Sequence, residues 1–353
     1  MGVPPEYFAD GDTIRGPIAD VNGTLYIVFE RFGQPGAYKA LLSWNEFRSG
    51  SGWVTNATFA NGAVQAMAVR GTTLYIGGDF QGLYDALGNF VNANNVASLT
   101  QNGVWFPIGT GTPSPVSAIT VDSAQRVYVG LDQSVGGTPP YVNMLQVFDT
   151  TSQQWQPVGG GLQVDDYGSA SCPPNPPNPP PPAADHPGIT AMTSVGTDIY
   201  IAGFFKQLGD GTIAYHVAKW RGSSQSWVSL APSTYRDWCS FTVDTTPLIS
   251  SIAVFGSSVF VGGSILPPCN VTYPVGLAEF STNGVGLVAS NTNNLWNTYN
   301  LDPSGLPTYG TGDGLCVLHC AMYVTGRFTK IGSSDGVGRG ISALGIGRKI
   351  NTS

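Results

Sequence analysis

The chain is short of charge. Asp, Glu, Lys and Arg make up 10% of its 353 residues, against about 25% in an average soluble protein. The 15 Lys and Arg are outnumbered by 22 Asp and Glu, for a net charge of -7. With no basic run there is nothing to neutralise a phosphate backbone, so no nucleic-acid partner is expected. Apolar runs are short too: no stretch of about eighteen apolar residues occurs, and no helical membrane span is expected. The opening Met1-Gly2-Val3-Pro4-Pro5-Glu6 lacks the basic start and apolar core of a signal peptide. Histidine is scarce, with three residues, and Cys172, Cys239, Cys269, Cys316 and Cys320 show no paired C-x-x-C spacing. Neither a metal site nor any other cofactor is expected from that supply of ligands. A Gly-x-Ser-x-Gly elbow and a phosphate loop with its Lys are also missing.

Glycine (47), proline (26) and many Ser, Thr and Asn take the place of charge. Six times an apolar strand meets a short turn and then a second strand with an aromatic residue and, usually, glycine behind it. The second strands are Leu25-Tyr26-Ile27, Leu74-Tyr75-Ile76-Gly77-Gly78, Val127-Tyr128-Val129-Gly130, Ile199-Tyr200-Ile201-Ala202-Gly203, Val259-Phe260-Val261-Gly262-Gly263 and Met322-Tyr323-Val324-Thr325-Gly326. Their spacing of roughly 50 to 70 residues fits a four-stranded blade. The first strands are small and apolar, as in Ala66-Met67-Ala68-Val69. Turns such as Asn22-Gly23 carry the strongest short hairpin signal. Third and fourth strands carry Trp44 with Trp53, Phe148 with Trp155, Trp220 with Trp227 and, more weakly, Leu99 with Trp105, rings expected to wedge between blades.

The pattern predicts an all-β chain, one domain over 1–353: a six-bladed β-propeller of four-stranded blades at approximately 13–58, 62–112, 114–161, 187–232, 247–292 and 309–353. A Pro-rich insertion at 162–187 separates the third and fourth. The last blade shows an inner strand at 315–318, a second at 322–328 and a third near 341–346. The N-terminal residues 1–12 are expected to complete it, with Pro5-Glu6-Tyr7-Phe8-Ala9-Asp10 pairing on 341–346 as a clasp that covers an open edge.

Leu145-Gln146-Val147-Phe148-Asp149-Thr150-Thr151-Ser152-Gln153-Gln154-Trp155 resembles the second half of a Kelch repeat. Tyr75-Ile76-Gly77-Gly78-Asp79-Phe80, followed by Asn95-Val96-Ala97 and Trp105, is similar to the Gly-Gly-x-Phe repeats of fungal cortical polarity markers and related secreted propellers. The resemblance implies a secreted propeller. Copper oxidase chemistry, known among Kelch-like propellers, needs converging histidines, whereas His186, His216 and His319 fall on different parts of the repeat. An Asp box of the sialidase kind is missing, and the inner strands carry Ala, Met, Ile and Thr where a calcium-dependent hydrolase has oxygen ligands; Asp20 alone departs. No catalytic residue is expected.

Loop length divides the two faces of the blades. The turns within the first hairpins are short, while the long segments 81–94, 131–141, 162–187, 206–214, 231–247, 264–276 and 291–311 share the other face, where binding tends to reside. Tyr84, Phe90, Tyr141, Tyr215 and Tyr273 on these loops are the contact candidates, for a protein partner or for stacking on sugar rings, unless the rings serve to pin down their own loops, which is the favoured reading of them. Asp10-Gly11-Asp12 and Gly209-Asp210-Gly211 look like fragments of calcium loops, though Asp in such turns commonly bonds its own backbone. Residues 172–182, Cys172-Pro173-Pro174-Asn175-Pro176-Pro177-Asn178-Pro179-Pro180-Pro181-Pro182, are expected to form a polyproline II rod. It reads as a ligand for a proline-recognising groove, a modified segment or a spacer. Glycosylation sequons stand at Asn22, Asn56, Asn270 and Asn351. Disulfide candidates are Cys316 with Cys320 and Cys239 with Cys269. The reading is a non-enzymatic extracellular or cell-surface module, structural or protein-interacting, with self-assembly into a surface or filamentous array as one form. The alternative is a carbohydrate-binding propeller, and a propeller hydrolase or oxidase ranks behind both.

Overall fold

The computed structural model describes residues 12–31, 38–45, 52–59, 61–131, 144–163, 188–205, 207–214, 216–230, 248–265, 275–284, 311–318, 321–327 and 345–350. Every regular element among them is a β-strand, and all pairing is antiparallel. No helix among the described residues is long and apolar enough to cross a membrane. Contacts divide the chain into two units: Met1–Val135 with Leu145–Val158, and Gly136–Met144 with Gly159–Ser353.

The first unit opens with a meander of β1 (Asp12–Val21), β2 (Thr24–Arg31), β3 (Tyr38–Asn45) and β4 (Val54–Phe59). Next come β5 (Val64–Arg70), β6 (Thr73–Gly78), a small hairpin of β7 (Leu83–Asp85) and β8 (Phe90–Val91), then β9 (Val96–Leu99) and β10 (Trp105–Pro107). β11 (Val116–Val121), β12 (Val127–Leu131), β13 (Leu145–Asp149) and β14 (Gln154–Pro157) finish it. The sheet orders are β1-β2-β3-β4-β7-β8, β10-β9-β6-β5 and β11-β12-β13-β14. Segment 81–94, expected to be a loop, is therefore a hairpin that leaves its own sheet and pairs along β4, with Ala57 opposite Asp85 and Phe59 opposite Leu83. The physical reason lies in β4 itself, whose outer backbone groups need partners, and in Leu83, which is buried in the shared core.

The second unit holds β15 (Leu162–Gln163), β16 (Gly188–Val195), β17 (Asp198–Phe204), β18 (Gln207–Leu208), β19 (Val217–Arg221) and β20 (Ser226–Ser229). It continues with β21 (Leu248–Phe255), β22 (Ser258–Ile265) and β23 (Val275–Ser281), then β24 (Thr311–Leu318), β25 (Ala321–Arg327) and β26 (Gly345–Ile350). Its sheets run β15-β18, β16-β17-β19-β20, β21-β22-β23 and β24-β25-β26. Leu162–Gln163, assigned from sequence to the Pro-rich insertion, pairs with β18 as a strand. The third strand of the last sheet lies at Gly345–Ile350, a few residues beyond the expected 341–346, because Tyr323 of β25 stands opposite Arg348. The proposed clasp, residues 5–10 on 341–346, rests on residues 1–11 and 341–344, which lie outside the described residues.

Six hairpins share one irregularity. In β1–β2, β5–β6, β11–β12, β16–β17, β21–β22 and β24–β25 the register slips near the start of the first strand. In β5–β6, Val64 faces Gly78 while Ala66 faces Gly77, which leaves Gln65 as a bulge residue. Where the bulge residue is a hydroxyl it closes the gap itself: Ser117 Oγ donates to Gly130 O at 3.2 Å, Thr190 Oγ1 to Ala202 O at 3.4 Å and Ser250 Oγ to Gly262 O at 3.2 Å. The glycine opposite is required by close approach, since a Cβ on Gly78 would lie 1.9 Å from Ala63 O. The glycines behind the second strand thus accommodate the bulge.

Side chains fill the spaces beside the sheets as the alternation demands. Leu74, Ile76, Ala97, Leu99 and Trp105 meet Phe59, Phe80 and Leu83 in one cluster of the first unit, and Phe59 and Phe80 pack with ring centroids 5.2 Å apart. The expected aromatic pairs sit directly across from one another, Phe148 facing Trp155 and Trp220 facing Trp227, with centroids at 5.2 and 5.1 Å. In the second unit Lys219 of β19 is buried. Its Nζ donates to Thr282 O at 2.7 Å, stands 3.6 Å from Asp198 Oδ2 and lies 5.5 Å from the centre of the Tyr200 ring. Burial, then the Asp198 charge, raises the Tyr200 phenol above its ordinary pKa.

Candidate functional site

The connection between second and third strands can be compared in two sheets. It runs from Gly78 to Asn95 in one and from Gly203 to His216 in the other. Both begin with a buried phenylalanine, Phe80 or Phe205, whose carbonyl accepts from the backbone N–H of the closing residue: Asn95 at 2.7 Å, His216 at 2.9 Å. Both closing residues adopt positive φ, 68° and 65°. The His216 ring is buried, with Nδ1 3.0 Å from Gly203 O. It therefore plays the structural part that Asn95 plays, and no group of three or more His, Cys, Asp or Glu among the described residues is placed to hold a metal.

The two connections differ at their tips. In the second unit the tip is Gly209-Asp210-Gly211, closed by Thr212 N donating to Asp210 Oδ1 at 2.9 Å and Gln207 Nε2 donating to Gly211 O at 3.0 Å. Asp210 is thus spent on its own turn. In the β7–β8 hairpin the tip displays apolar side chains. Tyr84 and Phe90 face each other across the two strands, and their rings stand 5.2 Å apart, tilted by 58°. Tyr84 is 41% exposed, Phe90 56% and the tip residue Leu87 87%. Behind them Gly82 is buried, and a Cβ there would meet the tip of the Phe90 ring at 2.5 Å, so glycine lets that ring lie flat against the chain. The fold does not demand this exposure, because the matching loop manages with polar residues.

A carboxylate holds the tip in shape. Asp85 Oδ1 accepts from Leu87 N at 2.9 Å and Asn89 N at 2.8 Å, and Oδ2 accepts from Asn89 Nδ2 at 3.0 Å. The Asn89 amide first, then the backbone N–H groups, hold the Asp85 carboxyl below its ordinary pKa. A depressed folded-state pKa contributes order above the ordinary aspartate range and loses it as pH falls through the folded value. A carboxyl-carbon NMR titration is expected to show Asp85 titrating below that range, with Asn89→Ala moving it back up. An Asp85 curve insensitive to Asn89→Ala would contradict the hydrogen-bond account.

Of the other candidates, Asn22 is exposed in the β1–β2 turn, with φ of 51° and 77° at Asn22 and Gly23. Asn56 is the extra residue of a bulge in β4, half-buried, with Nδ2 donating to Val54 O at 3.1 Å. Tyr141, Tyr215, Tyr273, Asn270, Asn351, Cys172, Cys239, Cys269, Cys320, His186 and His319 lie outside the described residues, while Cys316 lies in β24 opposite Tyr323. One feature of the repeat escaped the sequence reading. Trp105 Nε1 donates to Asn56 O at 3.0 Å and Trp227 Nε1 to Gly159 O at 2.8 Å, so these two tryptophans are polar pegs, whereas the buried Nε1 of Trp53 and of Trp155 has no hydrogen-bond partner among the described residues. The shared run of Trp105-Phe106-Pro107-Ile108-Gly109 and Trp155-Gln156-Pro157-Val158-Gly159 does not foretell it, because Trp155 lacks the bond and Trp227 lacks the run.

No family model and no curated protein matches the sequence, and the Kelch resemblance rests on its repeat residues alone. Solved structures similar to the chain include the extracellular domain of a hybrid two-component system from B. thetaiotaomicron. That match has 10% identity and a TM-score of 0.48, and covers 97% of this chain and 39% of that one. Others are YjhT (13% identity, 95% and 97% covered, TM-score 0.44) and Trypanosoma rangeli sialidase in complex with the inhibitor DANA (11% identity, 95% and 54% covered, TM-score 0.42).

Proposed function

We propose that the chain is an extracellular, non-enzymatic interaction module built as a six-bladed β-propeller, with the N-terminal residues completing the last blade, and that the β7–β8 hairpin is a partner contact. Six bulged hairpins and the two tryptophan pegs support the blade reading. The observation that carries the contact is the exposure of Tyr84, Leu87 and Phe90 on a tip braced by Asp85 and fastened to β4. Large aromatic and aliphatic side chains held rigid lose little entropy on binding and make strong anchors. Two rings tilted by 58° to each other do not form the flat platform that a sugar ring covers, which favours a protein partner over a glycan.

Sedimentation equilibrium of the purified chain tests the reading. Joint Tyr84→Ala and Phe90→Ala substitution is expected to weaken self-association about 30-fold, the scale of a lost hot spot of about 2 kcal/mol. The melting temperature should move by less than about 2 °C, because a surface site away from the core contributes little to stability. Unchanged association, or a large fall in melting temperature with association intact, would assign these rings to packing.

A further inference from the structure

We propose that the first unit holds a buried water site on the β13–β14 hairpin, where one water molecule accepts a hydrogen bond from Trp155 Nε1 and donates one to Gln146 Oε1.

Gln146 breaks the pattern of its position. In the other sheets the third-strand residue that faces the central apolar residue of the second strand is small or apolar. Leu42 faces Ile27, Ala97 faces Ile76, Ala218 faces Ile201, Ala278 faces Val261 and Gly347 faces Val324. Here Gln146 faces Val129. Leu42, Ala97 and Ala218 are buried, and Gln146, 5% exposed, is buried like them. The fold therefore does not require an amide at this place. An amide that leaves solvent must replace the hydrogen bonds it gives up. Gln146 Oε1 nevertheless has no partner among the described residues.

A second unpartnered group shares its face. Gln146 and Phe148 lie two apart on β13 and so project to one side of the sheet. Phe148 stands opposite Trp155 and Gln146 opposite Pro157, which makes Gln146 and Trp155 diagonal neighbours, a spacing that long and aromatic side chains span. Phe148 and Trp155 pack there in the cluster that Val96 and Ile108 enter from the neighbouring sheet and its exit. The buried Trp155 Nε1 is a donor without an acceptor, and Gln146 Oε1 is an acceptor without a donor. Water meets both needs at once, is small enough for a packed interior and brings no charge.

The tryptophan pegs show why a mediator is needed. Trp227 donates directly to Gly159 O, and a Cβ on Gly159 would lie 2.2 Å from Trp227 Nε1. Gly109, after β10, is the counterpart of Gly159, after β14, with φ of 59° against 64°. The three atoms nearest a Cβ on Gly109, out to 3.3 Å, belong to Phe148 and Gln153 and none to Trp155. The Trp155 indole thus stands back from the carbonyl that its place in the repeat assigns to it, and its N–H is left for a molecule held on the same face.

The test reads the tryptophan indole N–H signals of the isotope-labelled full chain in water-selective NOESY and ROESY spectra. Trp155 Nε1–H is expected to show a water cross-peak whose sign marks a molecule held for longer than about a nanosecond. Trp105 and Trp227, bonded to protein carbonyls, should show none. Gln146→Leu is expected to abolish the Trp155 cross-peak and shift its indole signal, with the Trp105 and Trp227 signals unmoved as the check that the sheets still pack. Once Trp155→Phe has removed the donor, adding Gln146→Leu should lower the urea midpoint less than it does in the parent. The unaltered chain alone can overturn the proposal, by showing no long-lived water at Trp155. A water cross-peak indifferent to Gln146→Leu, or strictly additive midpoints, would do the same. So would an indole signal that moves in Gln146→Leu with no water cross-peak in the parent, since amide and indole would then bond directly.

Discussion

Gly78→Ala is expected to destabilise the protein by about 3 kcal/mol, at the upper end of what overpacking costs. The new methyl would stand 1.9 Å from Ala63 O and 2.9 Å from Ala63 C, both backbone atoms of the bulged partner strand, so no side-chain rotation relieves the clash. The strand must part or the bulge must open, and Gly78 N would then lose its carbonyl partner Asn95 O, now at 3.0 Å. Gly203→Ala should behave alike, because its Cβ would lie 2.1 Å from Gly188 O in the corresponding hairpin. Gly188→Ala is the control: nothing lies within 4 Å of its added methyl. It should be neutral or slightly stabilising through the unfolded chain. Urea unfolding of the three variants decides the matter, and equal costs for Gly78→Ala and Gly188→Ala would refute the bulge account.

Lys219→Ala is the second large effect, expected to cost about 3 kcal/mol, the lower end for breaking a buried ion pair. The ammonium lost is the donor to Thr282 O, the neighbour of Asp198 and the cation 5.5 Å from the centre of the Tyr200 ring. The Asp198 side chain keeps 30% exposure, so water partly compensates it and the cost stays below that of a fully buried orphan. Thr282 O follows β23, while Lys219 belongs to β19, so one side chain ties the sheet of β16, β17, β19 and β20 to the sheet of β21, β22 and β23. Lys219→Met, which keeps the apolar stem, should recover part of the loss, and Lys219→Ala with Asp198→Asn should cost less than the sum of the single changes. A Lys219→Ala protein within about 0.5 kcal/mol of its parent, on the scale of an ordinary surface change, would show that the buried cation contributes nothing.

The hairpins were legible because their information is local. Asn22-Gly23 adopts the two positive φ values its turn needs, and apolar alternation in Leu74-Tyr75-Ile76 places Leu74 and Ile76 inside, all within about ten residues of chain. The pairing of Phe148 with Trp155 and of Trp220 with Trp227 follows from turn length alone. Three things were decided elsewhere. The β7–β8 hairpin pairs with β4, more than twenty residues back, and nothing in 81–94 names that partner; the choice comes from the unpaired edge that β4 presents. Asn56 reads as a sequon but becomes a bulge residue, with its carbonyl taken by Trp105, a residue 49 positions away. Lys219 looks like any surface lysine on a strand until Thr282 and Asp198 close over it. Local torsions and side-chain period determine which segments are strands and where they turn. The identity of a strand's non-local neighbour, and with it the burial of Lys219 and the exposure of Tyr84, Leu87 and Phe90, depends on which backbone edges and cavities remain when all the sheets are in place.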